Sequence, residues 1–116
     1  MAKSFEDIDA WKKGQELYLE IHKLFSKSKD FDFRHQINRA TLSITNNIAE
    51  GFERQTNKEI VYFFYVSKGS CGEVRSMLYL AKKLNYINDS EFSKLIDMCK
   101  EISKMLFGFI KYIKNK

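Results

Sequence analysis

Arg39, Ser43, Asn46 and Glu50 recur at i, i+4, i+7 and i+11, with Asn47 alongside. On a helix that spacing puts a guanidinium, a hydroxyl, amides and a carboxylate on one face. Further along, Ser67, Ser70 and Glu73 follow a matching spacing among Gly69 and Gly72, whose small size lets helix backbones approach closely. Two arrangements fit. In one, Arg39, Ser43, Asn46, Asn47, Glu50, Ser70 and Glu73 form a buried network tied together by an Arg39–Glu73 pair. Such a network sets helix register more than it adds stability. In the other, the same residues are a solvated polar face. Arg34, Arg39, Arg54, Lys58, Arg75, Lys82 and Lys83 are candidates to hold phosphates, which gives affinity and salt dependence without reading bases. Aromatic stacking on bases is conceivable, but the aromatic residues are expected to be taken up by core and interface.

Catalytic and metal-binding patterns are missing where they would be sought. His22 and His35 fall on different helical segments, and neither has a His or Cys within a turn. Glu-x-x-His pairs of the di-iron kind do not occur. Gly69-Ser70-Cys71-Gly72 lies inside a helical pattern and lacks a P-loop's lysine and spacing. An Arg and His four to six residues apart on one helix, as some helical ribonucleases use, would need a histidine soon after Arg34 or Arg39, and His35 directly follows Arg34. The expectation is a protein that is not an enzyme and holds no metal or cofactor.

The elements that must position these residues are helices. The chain of 116 residues has no proline, five glycines and 30% charged residues, a composition suited to long unbroken helices. Three-four apolar spacing predicts four of them, from about Asp7 to Ser26, Phe33 to Glu53, Asn57 to Asn85 and Asp89 to Lys114. Trp11, Tyr18, Ile21 and Phe25 mark the first stripe, with Leu17 and Leu24 beside it. Asp32 is the expected cap of the second helix, Thr56 with Glu59 of the third, and Asn88 with Glu91 of the fourth. Short connections make neighbours antiparallel, so the expected fold is all-α, an antiparallel up-down-up-down four-helix bundle forming one domain over residues 1–116.

Ile60-Val61-Tyr62-Phe63-Phe64-Tyr65-Val66 is apolar or aromatic throughout, so nearly two turns of the third helix are apolar all round. One side faces the core; the other is exposed or covered by a second chain, which makes Tyr62 and Tyr65 candidates for an oligomer interface. The net charge is +5 and uneven: residues 1–33 carry −1, residues 34–85 carry +4 and residues 86–116 carry +2. After Glu101 come Lys104, Lys111, Lys114 and Lys116 with no acid. A basic excess on part of a small domain suits an anionic partner such as RNA or DNA. Cys71 and Cys99 sit in apolar helical patterns and read as buried free thiols. With no targeting signal or membrane-length apolar run, a cytoplasmic protein with no membrane association is expected.

The stretch from His35 to Arg54 carries Gln36-Ile37-Asn38-Arg39-Ala40 and Ser43-Ile44-Thr45-Asn46-Asn47-Ile48-Ala49-Glu50-Gly51. Together with Phe5-Glu6-Asp7-Ile8-Asp9-Ala10-Trp11 and Gly69-Ser70-Cys71-Gly72-Glu73, it resembles the four-helix bundle proteins encoded in intervening sequences of bacterial 23S ribosomal RNA genes. Asn38 occupies a place that is often basic, and Thr45 one where proline is common. The resemblance implies the four-helix bundle but no settled biochemical role. A group similar in fold, the accessory variability proteins of diversity-generating retroelements, forms pentameric rings that associate with a reverse transcriptase and nucleic acid. By that likeness the expectation is a homo-oligomer, a pentamer, that binds RNA or another nucleic acid through basic surfaces. The alternative is a scaffold or accessory subunit that binds another polypeptide.

Overall fold

Where each helix begins is set by the side chain that accepts its first free N–H groups. The computed structural model describes residues 2–116. A 3-10 turn, Phe5–Asp7, leads into α1 (Asp9–Phe25), α2 (Phe31–Phe52), α3 (Asn57–Lys83) and α4 (Asp89–Lys114). They form an antiparallel up-down-up-down bundle with extents of 45 × 22 × 19 Å.

The caps correct several expected boundaries. α1 starts at Asp9 rather than Asp7, because the Ile8 N–H closes the preceding turn on the Phe5 carbonyl and Ile8 itself is extended. Asp30, not Asp32, caps α2, accepting from the Phe33 N–H at 3.1 Å. Its other carboxylate oxygen accepts from the Tyr86 hydroxyl at 2.6 Å, which ties together the two connections at that end of the bundle. The shared proton holds the Asp30 carboxyl below its ordinary range and pushes the Tyr86 phenol up. At α3, Thr56 Oγ1 accepts from the Glu59 N–H at 3.2 Å and donates to Glu59 Oε1 at 2.8 Å, a variant of the expected reciprocal box. At α4 the Asn88–Glu91 box is complete, with bonds of 2.7 and 2.9 Å. α3 stops at Lys83, two residues before Asn85. There Asn85 turns left-handed at φ 61° and the Tyr86 N–H closes on the Ala81 carbonyl at 2.9 Å.

The core is a single cluster drawn from all four helices, including Leu17, Ile21, Phe25, Ile44, Ile48, Phe64, Leu78, Ile102 and Leu106. Each such side chain contributes about 1.5–3 kcal/mol when taken from water. On α1 the buried line is Ala10, Gly14, Leu17, Ile21 and Phe25, while Trp11, Tyr18 and Leu24 are half-buried flanks. α3 packs extensively on both α2 and α4, whereas α1 and α4 touch less. At Gly51 α2 and α3 close tightly: a Cβ there would lie 2.9 Å from Phe63 Cβ and 2.9 Å from Phe64 Cδ1. Gly69 and Gly72, expected to serve that approach, are exposed with open space around them.

Cys71 and Cys99 are free and buried, and burial pushes both thiols up to about 12. The folded state thus holds both protons. Its advantage is complete below the ordinary thiol value of 9.0 and is lost as pH climbs from there toward 12.

Two outcomes follow from this packing. Gly51→Ala should lose about 1–2 kcal/mol, because overpacking against Phe63 outweighs the gain in helix propensity. Gly108→Ala, where nothing lies within 4 Å, should gain up to about 1 kcal/mol. Urea unfolding measures both, and equal stability of the two variants would contradict the tight approach at Gly51. The thiols should resist alkylation at neutral pH until the chain is unfolded, and stability should fall above pH 9.0. Rapid labelling of the native protein would contradict their burial.

Candidate nucleic-acid interface

The polar residues of α2 and α3 divide between seam and surface. Ser70 Oγ donates to Ser43 Oγ at 3.0 Å, and Asn47 Nδ2 donates to the Ser43 carbonyl and hydroxyl at 2.8 and 2.9 Å. Deeper in the seam, Ser67 Oγ donates to the Ile44 carbonyl at 2.7 Å. Ser43, Ser67 and Ser70 therefore link these helices, and Asn47 supports Ser43 from within α2. Arg39, Asn46, Glu50 and Glu73 are exposed, so the expected buried Arg39–Glu73 pair does not form. Glu73 instead accepts from Gln36 Nε2 at 3.3 Å. The seam is built from hydroxyls and one amide because each can be satisfied by a nearby carbonyl, whereas a buried guanidinium would need several acceptors.

The basic candidates are dispersed. Arg34 donates to the Ser26 and Ser28 carbonyls at 3.0 and 3.4 Å and lies over Phe31, closing the α1–α2 connection. Arg54 is held between Glu50 at 3.5 Å and Glu59 at 3.6 Å, over the Phe63 ring. Arg39 on α2 and Lys58 at the start of α3 are exposed and form no ion pair among the described residues. Arg75, Lys82 and Lys83 share α3.

What brings charges together is the pairing of α3 with α4. Along α3, Tyr65, Lys68, Gly72, Arg75, Tyr79 and Lys82 follow a three-four rhythm, and along α4 so do Lys100, Lys104, Phe107, Lys111 and Lys114. The antiparallel contacts fix how these rows meet. At one end Lys82 lies over Phe92 and 3.5 Å from Asp89, with Tyr79 packed edge-on to Phe92. At the other, Lys114 lies 5.9 Å from the Tyr65 ring centre. The two rows hold seven Lys or Arg residues and no carboxylate. Lys68, Lys100, Lys104 and Lys111 form no ion pair among the described residues. Arg75 is half-buried, and its Nε is shielded from solvent without an acceptor among the described residues.

Unpaired like charges spaced within about a Debye length repel one another, and a polyanion relieves that repulsion. The α1–α4 side is the opposite. There a cavity of about 560 Å³ is lined by Glu16, Glu20, Asp97 and Glu101 with Lys13 and Lys94. Its cations are engaged, Lys13 with Glu16 and Glu101 at 3.6 Å each and Lys94 with Glu20 at 3.3 Å. Among the described residues no group of three or more His, Cys, Asp or Glu side chains is placed to hold a metal ion. None of the described helices is long and apolar enough to cross a membrane.

Lys68, Lys100, Lys104, Lys111, Lys114 and Phe107 are not among the site residues that the sequence pattern singles out. A signal for them exists: lysines at positions 100, 104, 111 and 114 sit one face apart from the apolar stripe of α4, with an aromatic among them. The aromatics are also more exposed than expected, since Tyr65, Tyr79 and Phe107 are each about half exposed.

A family model described as the 23S rRNA-intervening sequence protein matches residues 6–108. Among solved structures, the chain is similar to a protein of unknown function from the S23 ribosomal protein family of Bacteroides thetaiotaomicron VPI-5482. The TM-score is 0.82 at 24% identity, over 88% of this chain and 98% of that one, a likeness of fold. No curated protein matches the sequence.

Proposed function

We propose, for a chain that belongs to the 23S rRNA-intervening sequence protein family, a non-catalytic role in the cytoplasm as an oligomeric RNA-binding protein. The observation that carries this reading is the α3–α4 face, where seven Lys or Arg side chains stand in two rows and, among the described residues, only Lys82 is ion-paired, to Asp89. Phosphates are the ligand chemistry that such a face suits: point charges on flexible stems, spread along helices roughly 40 Å long. Phosphate contact supplies affinity and positioning, and sequence preference is left to other features. The family's link to ribosomal RNA genes favours RNA over DNA.

Self-association is the second part of the proposal. Tyr62, Gly69, Ser76 and Leu80 share the crest of α3 on its side away from α4, with Tyr62 61% and Leu80 48% exposed. A mid-helix glycine costs roughly 0.5–1 kcal/mol relative to alanine. Among the described residues, no other element comes within 4 Å of a Cβ placed at Gly69. A helix from a second copy crossing there would account for it and cover Tyr62. The likeness in fold to ring-forming accessory variability proteins makes the proposed assembly a ring of five.

The double variant Lys104→Glu/Lys111→Glu should bind a structured RNA more weakly than wild type and reduce the slope of log affinity against log salt by about 1.4–1.8. Helical circular dichroism should be unchanged, because both side chains are exposed. An unaltered salt slope in the folded variant would rule the α3–α4 face out, and absence of any binding at low salt would turn attention to a protein partner. Tyr62→Asp should lower the mass measured by light scattering toward that of one chain, and a mass equal to wild type would remove the α3 crest as the interface.

A further inference from the structure

Where α3 begins and α4 ends, the basic face opens into a cleft of about 260 Å³ lined by Tyr65, Phe107, Ile110, Lys111, Lys114 and Asn115. Two features distinguish it from the rest of the face. Its floor is apolar, with Ile110 1% exposed, and aromatic rings stand on two sides, Tyr65 46% and Phe107 54% exposed. Phe107 lies off the buried stripe of its own helix, so core packing does not account for a phenylalanine there. Two lysines share the lining and no carboxylate does. Lys114 already lies near the Tyr65 ring, so a cation and an aromatic face are presented side by side.

We infer that this cleft seats one unpaired nucleotide of a single-stranded nucleic acid, its base against Phe107 and Tyr65 and its flanking phosphates on Lys111 and Lys114. Aromatic platforms within a positively charged groove are how single strands are held, since every base has a ring face to stack and every linkage carries a charge. The volume is below the roughly 300–1,000 Å³ of sites that take drug-sized ligands, which suits one base and its sugar rather than a larger group. In a duplex both faces of each base are covered by neighbouring pairs, so a paired base offers the rings nothing. The inference rests on the α3–α4 face being the nucleic-acid surface and adds to it a preference for unpaired nucleotides.

The test uses the full chain and a labelled single-stranded RNA containing 2-aminopurine, alone and annealed to its complement. Fluorescence anisotropy gives affinity, and 2-aminopurine emission reports stacking directly. With wild type, the single strand should bind more tightly than the duplex and its emission should be quenched. Phe107→Leu keeps an apolar side chain at an exposed position. It should weaken single-strand binding about tenfold, leave duplex binding unchanged and abolish the quenching. Lys111→Gln/Lys114→Gln should instead lower the salt slope by about 1.4 for the single strand. If wild type binds both forms with a steep salt dependence while Phe107→Leu binds the single strand as wild type does, the cleft inference is overturned and the phosphate-binding face stands. If wild type binds neither form, both fall together. Displacement of the labelled strand by poly-glutamate as readily as by unlabelled RNA would also overturn it, showing that charge without a base suffices.

Discussion

The bundle depends on how closely α2 and α3 approach each other. Gly51 leaves no room for a Cβ against Phe63 and Phe64, and two turns away Ser67 reaches the Ile44 carbonyl at 2.7 Å. A hydroxyl that bonds a backbone carbonyl of the neighbouring helix works only within a narrow range of separation and rotation. Ser70 on Ser43 extends the same constraint along the seam, and Asn47 holds the Ser43 hydroxyl in place from within α2. Buried polar groups left unpaired are expensive, so a helix shifted by one residue would lose both the Ser67–Ile44 and the Ser70–Ser43 bonds at once. Apolar packing alone would tolerate several rotations of α3; this seam selects one.

That selected rotation decides what the other side of α3 presents. With Ser67, Ser70 and Phe63 turned to α2, the residues Lys68, Arg75 and Lys82 border α4. The lysines of α4 then meet them from the opposite direction, because the complete Asn88–Glu91 box and the left-handed Asn85 reverse the chain within a few residues. The result is a charge-polarised rod. Acids and their paired lysines line the α1–α4 groove, and cations of which only Lys82 is ion-paired among the described residues line the α3–α4 face. Net charge understates this, since local potential depends on which charges are left without a counterpart.

Exposure of aromatic rings follows the same logic. The apolar run from Ile60 to Val66 encircles α3, yet only Phe64 within it is fully buried and Tyr62 and Tyr65 remain substantially exposed. Tyr62 lies on the crest of the helix and Tyr65 beside α4. One run of sequence thus furnishes the core, a surface suited to a second chain and one wall of a basic cleft.

Much of the fold is legible in the amino-acid order. The absence of proline, the three-four apolar rhythm and the Thr56 and Asn88 caps specify four helices and their antiparallel order, because these are local properties of a chain with short connections. Of the line Ile37, Ala40, Ile44, Ile48 and Phe52 that the spacing of α2 predicts, the first four are buried and Phe52, at the helix end, is half-buried. Periodicity states which residues share a face but not which neighbour that face meets. Arg39 and Glu73 have compatible spacing, yet both point to solvent while Ser43 and Ser70 meet. Whether Lys111 and Phe107 are scattered surface residues or part of one face with Tyr65 and Lys68 depends on the rotation of α3 against α4, a property of the pair of helices rather than of either one. Sequence by itself determined the helices, their stripes and the basic excess. The tertiary structure decided which polar groups were buried and which charges stood together, because burial and electrostatics depend on distances across the bundle that no local pattern encodes.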